Sequence, residues 1–217
     1  ADFNNDGFID LFQVNGFGRI PDDVATTPAA IAAKSSYDTL TSALFQGKPS
    51  RLFINNGDGT FTDAATAWGA GAPSEGRGVV CFDYDRDGDV DVVVFDHSRS
   101  LQFYENVGGS GAGRRFLGVR LVGSPPNTDA LGARVYVTAD VGGGHGVQTQ
   151  LRLSEANSNF NSQDPPDLYF GLGEAAVVSK LRVRWPGGAE LVCTNVPANR
   201  FVVLDQRDGA AACPAPL

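Results

Sequence analysis

The sequence predicts an all-β protein built in two parts. Three observations carry that reading. Two nine-residue acidic loops, at 2–10 and 83–91, each run into a segment of β-branched and aromatic residues. The composition, with 27 glycines, 14 phenylalanines and no methionine in 217 residues, suits a turn-rich β chain better than a helical one. The C-terminal half then turns to short segments in which apolar and polar residues alternate, the period of a half-buried strand.

The loops come first because they carry chemistry. Both place oxygen-bearing side chains at loop positions 1, 3, 5 and 9, with Gly at 6. Asp2, Asn4, Asp6 and Asp10 form one set; Asp83, Asp85, Asp87 and Asp91 form the other. The position-7 carbonyls of Phe8 and Asp89, with a water, would complete each shell. Many oxygens on a flexible loop suit a hard cation, above all Ca²⁺, and about two such sites are expected. Mg²⁺ keeps more of its water and seldom takes a dedicated protein cage. Gly7 and Gly88 permit the sharp turn that folds the oxygens inward. A pair of Asp/Gly-rich surface turns is the plainer reading. Two copies with matched spacing argue against it.

An EF-hand is a different matter. Its twelve-residue loop closes on a bidentate Glu and lies between helices. Here position 12 is Gln13 or Val94, and the residues after the loops favour strands: Phe8, Ile9, Phe12 and Val14 in one copy, Val90 and Val92–Phe95 in the other. The loops therefore enter strands, with the position-9 carboxylate reaching back.

Asp-x-Asx-x-Asp-Gly-x-x-Asp before an apolar strand resembles the FG-GAP/VCBS repeat of integrin-like β-propellers. Arg51-Leu52-Phe53-Ile54-Asn55-Asn56-Gly57-Asp58-Gly59-Thr60-Phe61-Thr62-Asp63 is similar to the strand–turn–strand that follows the calcium loop in such blades, and Leu101–Asn106 to its second copy. Asn56-Gly57 and Asp58-Gly59 supply the positive φ of a tight hairpin. Leu52, Ile54 and Phe61 are expected to face the interior. The resemblance implies about two blades over residues 1–122, a partial β-propeller. An insertion at 19–48 interrupts the first, with a short helix expected after Thr27 as N-cap and Pro28. A closed propeller needs roughly four to eight blades. The chain starts at the first ligand of a loop without an initiator Met, and Gly78–Phe82, the strand before the second loop, has no counterpart before the first. Missing N-terminal blades, or neighbouring chains, are expected to complete the ring.

The glycine run 108–113 looks like a phosphate loop, but a strand follows at 116–122 instead of a helix, so a turn is expected. Pro125-Pro126-Asn127 marks a boundary. Beyond it, Ala133–Thr138, Val147–Arg152 and Leu181–Trp185 alternate, and Phe201–Leu204 is a short buried run. A small antiparallel β-sandwich or barrel is expected over 123–207, then a tail at 208–217. Four motifs in order, Leu131-Gly132-Ala133-Arg134-Val135, Leu168–Gly173, Val183–Gly188 and Asn195–Asn199, resemble the ASPIC/UnbV domain, which commonly follows FG-GAP/VCBS propellers in secreted proteins. Ser154–Phe160 departs from the more Gly-rich form of that domain.

The formal charge of −8 is largely the two loops, and two bound Ca²⁺ would halve it. No basic stripe meets phosphates, so nucleic acid is not an expected partner, and no apolar run is long enough for a membrane span. Cys81, in an apolar strand, is expected as a buried free thiol. Cys193 and Cys213 flank the last strand and could form a disulfide, with the free-thiol alternative left open. A disulfide and a calcium site of extracellular strength both suit a secreted or periplasmic setting. The lack of an Asn-x-Ser/Thr sequon fits a bacterial source.

No catalytic residues are assigned. His97 and His145 lack a second ligand at zinc-like spacing, and the strand neighbours of His97 point to opposite faces. Glu155, Asp164, Asp167 and Glu174 show no spacing that favours a glycosidase pair over loop acids. Arg182 and Arg184 share a strand face, where they bind a carboxylate or are solvated. The expected function is a calcium-binding extracellular structural, adhesion or assembly module, non-catalytic, meeting a protein or glycan at a cell surface. The alternatives are a carbohydrate- or substrate-binding region of a larger secreted enzyme, or a subunit of an extracellular filament or coat.

Overall fold

The computed structural model describes residues 1–15, 32, 48–96, 101–108, 113–156, 159 and 161–215. His97 and nearly all of the 19–48 insertion, with its expected helix, lie outside the described residues.

The N-terminal half forms two three-stranded antiparallel sheets. The first is β1 (Leu11–Gln13), β2 (Arg51–Asn55) and β3 (Phe61–Asp63), in that order. The second is β4 (Gly76–Phe82), β5 (Asp91–Asp96) and β6 (Gln102–Tyr104). β5 is central and β-branched, and it is flanked on both sides; β1, its counterpart after the first loop, pairs with β2 alone among the described residues. Phe3, Leu52, Val90, Val92 and Val94 make the buried core between the sheets. Removing such apolar surface from water is what holds them together.

One expectation here needs correction. Leu52 is buried and Ile54 half-buried, but Phe61 is 44% exposed. Phe61 pairs with Asn55, whereas Ile54 pairs with Thr62. Directly opposed residues share a face and neighbours alternate, so Phe61 lies on the face opposite Leu52 and Ile54.

The second β domain stacks two sheets. β12 (Glu190–Pro197), β11 (Val177–Arg184), β8 (Arg134–Asp140) and β9 (Val147–Leu153) form one. β10 (Leu168–Gly173), β7 (Arg115–Val122) and β13 (Arg200–Asp205) form the other. All pairs are antiparallel except β7 with β13, which run parallel. Val135, Val137 and Ala139 point inward while Arg134 and Asp140 point out, the period of two read from the sequence. Leu117, Val119, Phe170, Leu172, Leu181, Val183 and Leu204 are fully or nearly fully buried between the sheets. Cys193, in β12, is disulfide-bonded to Cys213, with Cα atoms 5.4 Å apart. The bridge pins a short 3-10 helix, Gln206–Ala212, whose N-cap Asp205 accepts from the Arg207 amide.

The outer edge of β4 is covered by the segment before β10. Val79 N–H donates to Ser162 Oγ at 3.1 Å, and Cys81 N–H to Asp164 Oδ1 at 2.8 Å. An edge so occupied has no ladder to offer a stranger.

Candidate metal centre

The two acidic loops fold almost identically, and the sequence explains why. Position 4 takes a positive φ in both, 56° at Asn5 and 64° at Arg86, and Gly at position 6 follows with φ 96° and 99°. Asn tolerates the left-handed region well and Gly at little cost. The position-1 carboxylate accepts the glycine amide: Asp2 from Gly7 at 2.8 Å, Asp83 from Gly88 at 2.9 Å. The position-9 carboxylate accepts the position-2 amide: Asp10 from Phe3 at 2.8 Å, Asp91 from Tyr84 at 3.0 Å.

Each position-9 carboxylate is also held by an asparagine further along the chain, Asn55 at the end of β2 and Asn106 just past β6. Asn55 N–H donates to Asp10 Oδ1 and Asn106 N–H to Asp91 Oδ1, both at 2.8 Å. Their side-chain amides reach the carbonyls just before those aspartates, Ile9 at 3.0 Å and Val90 at 3.2 Å. Both asparagines follow strand-like segments in the sequence, but the 19–48 insertion puts Asn55 45 residues from Asp10 while Asn106 lies 15 from Asp91, so no common spacing marks their role.

The loops differ in charge balance. In the second, carboxylate oxygens of Asp83, Asp85 and Asp91 all lie within 4.8 Å of one another, the convergent acidic group among the described residues. Asp83 and Asp91 are buried and Asp85 is exposed. Asp83 Oδ1 is buried without a hydrogen-bond partner among the described residues. Burial, and then the charges of Asp87 and Asp85, push Asp83 up to about 6. Asp91 is raised too, first by burial. A buried carboxylate with like charges beside it is one whose ionised form lacks a counter-charge.

In the first loop, protein cations supply part of that counter-charge. Burial, with Asp6 and Asp10, raises Asp2 to about 7, but the Arg152 guanidinium works against it. Asp10 rises to about 6, mainly through burial. Arg114 Nη1 sits 3.8 Å from Asp6 Oδ2 and donates to the Asn4 carbonyl at 2.8 Å. Asn4 Oδ1 accepts the Asp6 amide, and Asp6 Oδ1 that of Phe8. The ring of Phe8 meets His145 edge-on, at 4.8 Å between centroids.

Two further carboxylates of the second loop have hydrogen-bond partners of their own. Asp87 Oδ1 accepts the Asp89 amide at 2.8 Å and lies outside the convergent group. The buried Asp89 carboxylate accepts from Asn5.

The donor set of the second loop fits a hard divalent ion. Ionised carboxylates are acceptors only, and one buried oxygen stands unengaged among three converging groups. Asp83, Asp85 and Asp91 would hold the ion, which would supply the counter-charge that the buried Asp83 and Asp91 carboxylates lack.

The remaining candidates have structural partners. Asp164 anchors β4, and Asp167 takes two hydrogen bonds from Arg120 at 2.7 Å. Arg182 stacks 4.2 Å from the centroid of Tyr136. Cys81 is a free, half-buried thiol whose pKa burial pushes up to about 11.

A repeat of cation-type loops on small blade-like sheets, backed by a second β domain, defines the class of protein. Residues 2–94 match the FG-GAP-like repeat, and residues 123–211 match the ASPIC and UnbV domain. The chain thus carries an FG-GAP-like repeat followed by a C-terminal ASPIC/UnbV domain. It is distantly similar to Cartilage acidic protein 1 of Homo sapiens, 38% identical over 93 residues, and to that of Mus musculus, 34% identical over 93 residues. The matched stretch covers 42% of this chain and 14% of each relative. No described helix is long and apolar enough to cross a membrane. The Cys193–Cys213 disulfide suggests an oxidising, extracellular or periplasmic setting.

Proposed function

We propose that this chain is a calcium-stabilised extracellular module that serves structure, adhesion or assembly and performs no catalysis. The observation that carries the reading is the buried, unpartnered Asp83 Oδ1 within the Asp83–Asp85–Asp91 group. A second ion at Asp2, Asn4, Asp6 and Asp10, with the Phe8 carbonyl, follows from the matching backbone of the first loop. Bound Ca²⁺ links β4 to β5 through Asp83 and Asp91, and so rigidifies the blade. Its partner is a protein or glycan outside the cell, or further blades beside β1. A ligand that binds the folded state alone raises its stability by mass action. Thermal unfolding in calcium and in EGTA tests this: the midpoint is expected to fall in EGTA, and calorimetric titration to count about two ions. An unchanged midpoint removes the stabilising role.

A further inference from the structure

We propose that the junction between the second acidic loop and the start of β7 binds a sulfate or phosphate monoester. Arg86, Arg114 and Arg115 line one open pocket there of about 530 Å³, with Asp87, Phe116 and Asn199. Three arginines line it against Asp87, in a chain whose formal charge is −8, although the Arg114 guanidinium also faces Asp6 Oδ2 at 3.8 Å. Like charges gathered in one place repel, so the fold must hold them. It does so by separate contacts. Arg86 lies with its guanidinium 5.3 Å from the Phe201 ring centroid. Arg114 is tied to the Asn4 carbonyl at 2.8 Å. Arg115 opens β7 half-buried, and its side chain makes no hydrogen bond or ion pair among the described residues.

Guanidinium groups present donors in a planar fork that matches a tetrahedral oxyanion. Asn199 adds to them. Its Oδ1 accepts the Phe116 amide at 3.2 Å, which leaves the NH2 end of its side chain as a donor. The pocket is larger than one anion fills, so the polar carrier of the ester, such as a sugar residue, is accommodated beside it. The site draws on none of the converging carboxylates Asp83, Asp85 and Asp91, and its test is separable from that of calcium.

Calorimetric titration of the calcium-loaded chain with glucose 6-sulfate and glucose 6-phosphate tests the assignment, against glucose, inorganic sulfate and chloride at matched ionic strength. The expected result is saturable binding of an ester, none of glucose, and weakening on the order of tenfold in Arg115→Gln, since each charge-assisted bond lost costs that much. Arg115→Lys keeps the charge without the fork and falls between. Arg86→Gln, at an exposed loop position, gives the same direction if Arg115→Gln does not fold. Heats no different from chloride, or a folded Arg115→Gln that binds as the parent does, overturn the site. Inorganic sulfate binding as tightly as the esters assigns it to the free anion and overturns the monoester reading.

Discussion

The side-chain amide of Asn5 donates to the carboxylate of Asp89 at 3.0 Å, across 84 residues of sequence, and joins the two acidic loops. The same amide donates to the Gly88 carbonyl at 3.0 Å, and Asn5's own carbonyl accepts from Gly173 of the second domain. One residue at position 4 of the first loop therefore touches both its repeat and the ASPIC/UnbV domain.

Asn5→Gly keeps the φ of 56° without strain, so its effect reports the lost amide bonds. Leaving the buried Asp89 carboxylate and the Gly88 carbonyl without that donor is expected to cost about 1–3 kcal/mol in urea unfolding. Calcium titration of the variant should show the second loop weakened although no ligand was changed.

Asp83→Asn is expected to change sign with the metal. In EGTA it removes a charge that is buried and repelled by Asp85 and Asp87, and the unfolding midpoint holds or rises. In calcium the same substitution removes a ligand, and affinity for that ion falls by roughly tenfold or more. Melting curves in the two buffers check both halves.

Gly88→Ala tests the fit of the second loop on the second domain. A Cβ at Gly88 would lie 2.1 Å from the Phe116 ring, at a φ of 99°. Gly59 has a φ of 88° and no described atom within 4 Å of an added Cβ, so Gly59→Ala carries the backbone strain alone, about 1–2 kcal/mol. Gly88→Ala is expected to lose about 1–3 kcal/mol beyond that, as an overpacked contact does. Equal losses in denaturant would argue that Phe116 yields freely.

Reduction of Cys193–Cys213 opens a loop of 20 residues. Chain-entropy reasoning gives a loss of about 3 kcal/mol, read as a lower unfolding midpoint in reductant or in Cys213→Ser.

Asp205 is held at about 2, first by its hydrogen bonds from Arg207. Its folded pKa lies below the ordinary 3.8, so the pair's contribution is fully present above that value. It is lost as pH falls through 3.8 toward 2. The group is exposed, so the stability change is small, and an NMR titration of the Asp205 carboxyl is the direct measurement.

The loops were legible because their information is local: nine residues set the turn, the oxygen positions and the strand that follows. β8 and β11 were legible for the same reason, since Val135, Val137, Leu181 and Val183 alternate with polar neighbours. The hydrogen bonds of Asn5 to Asp89, of Asp164 to Cys81 and of Phe116 to Asn199 were not, because these partners lie more than 80 residues apart and no spacing records them. Phe61 misled because its apolar character says that it is comfortable in a strand, not which face its register selects. The asparagines that steady Asp10 and Asp91 stood in plain view, but the insertion gave them unequal offsets.

The parallel pairing of β13 with β7 sets an order of events for the ASPIC/UnbV domain. Arg200 pairs with Leu117 and Asp205 with Val122, so the last strand closes against the first. Hairpins β8–β9 and β11–β12 join neighbours in sequence and need only short loop closures, while the β7–β13 pairing spans nearly the whole domain. Contacts between such distant segments carry a loop-closure cost that slows folding. During synthesis, β7 leaves the ribosome long before its parallel partner exists, and its Leu117–Leu121 core face stays exposed through that interval.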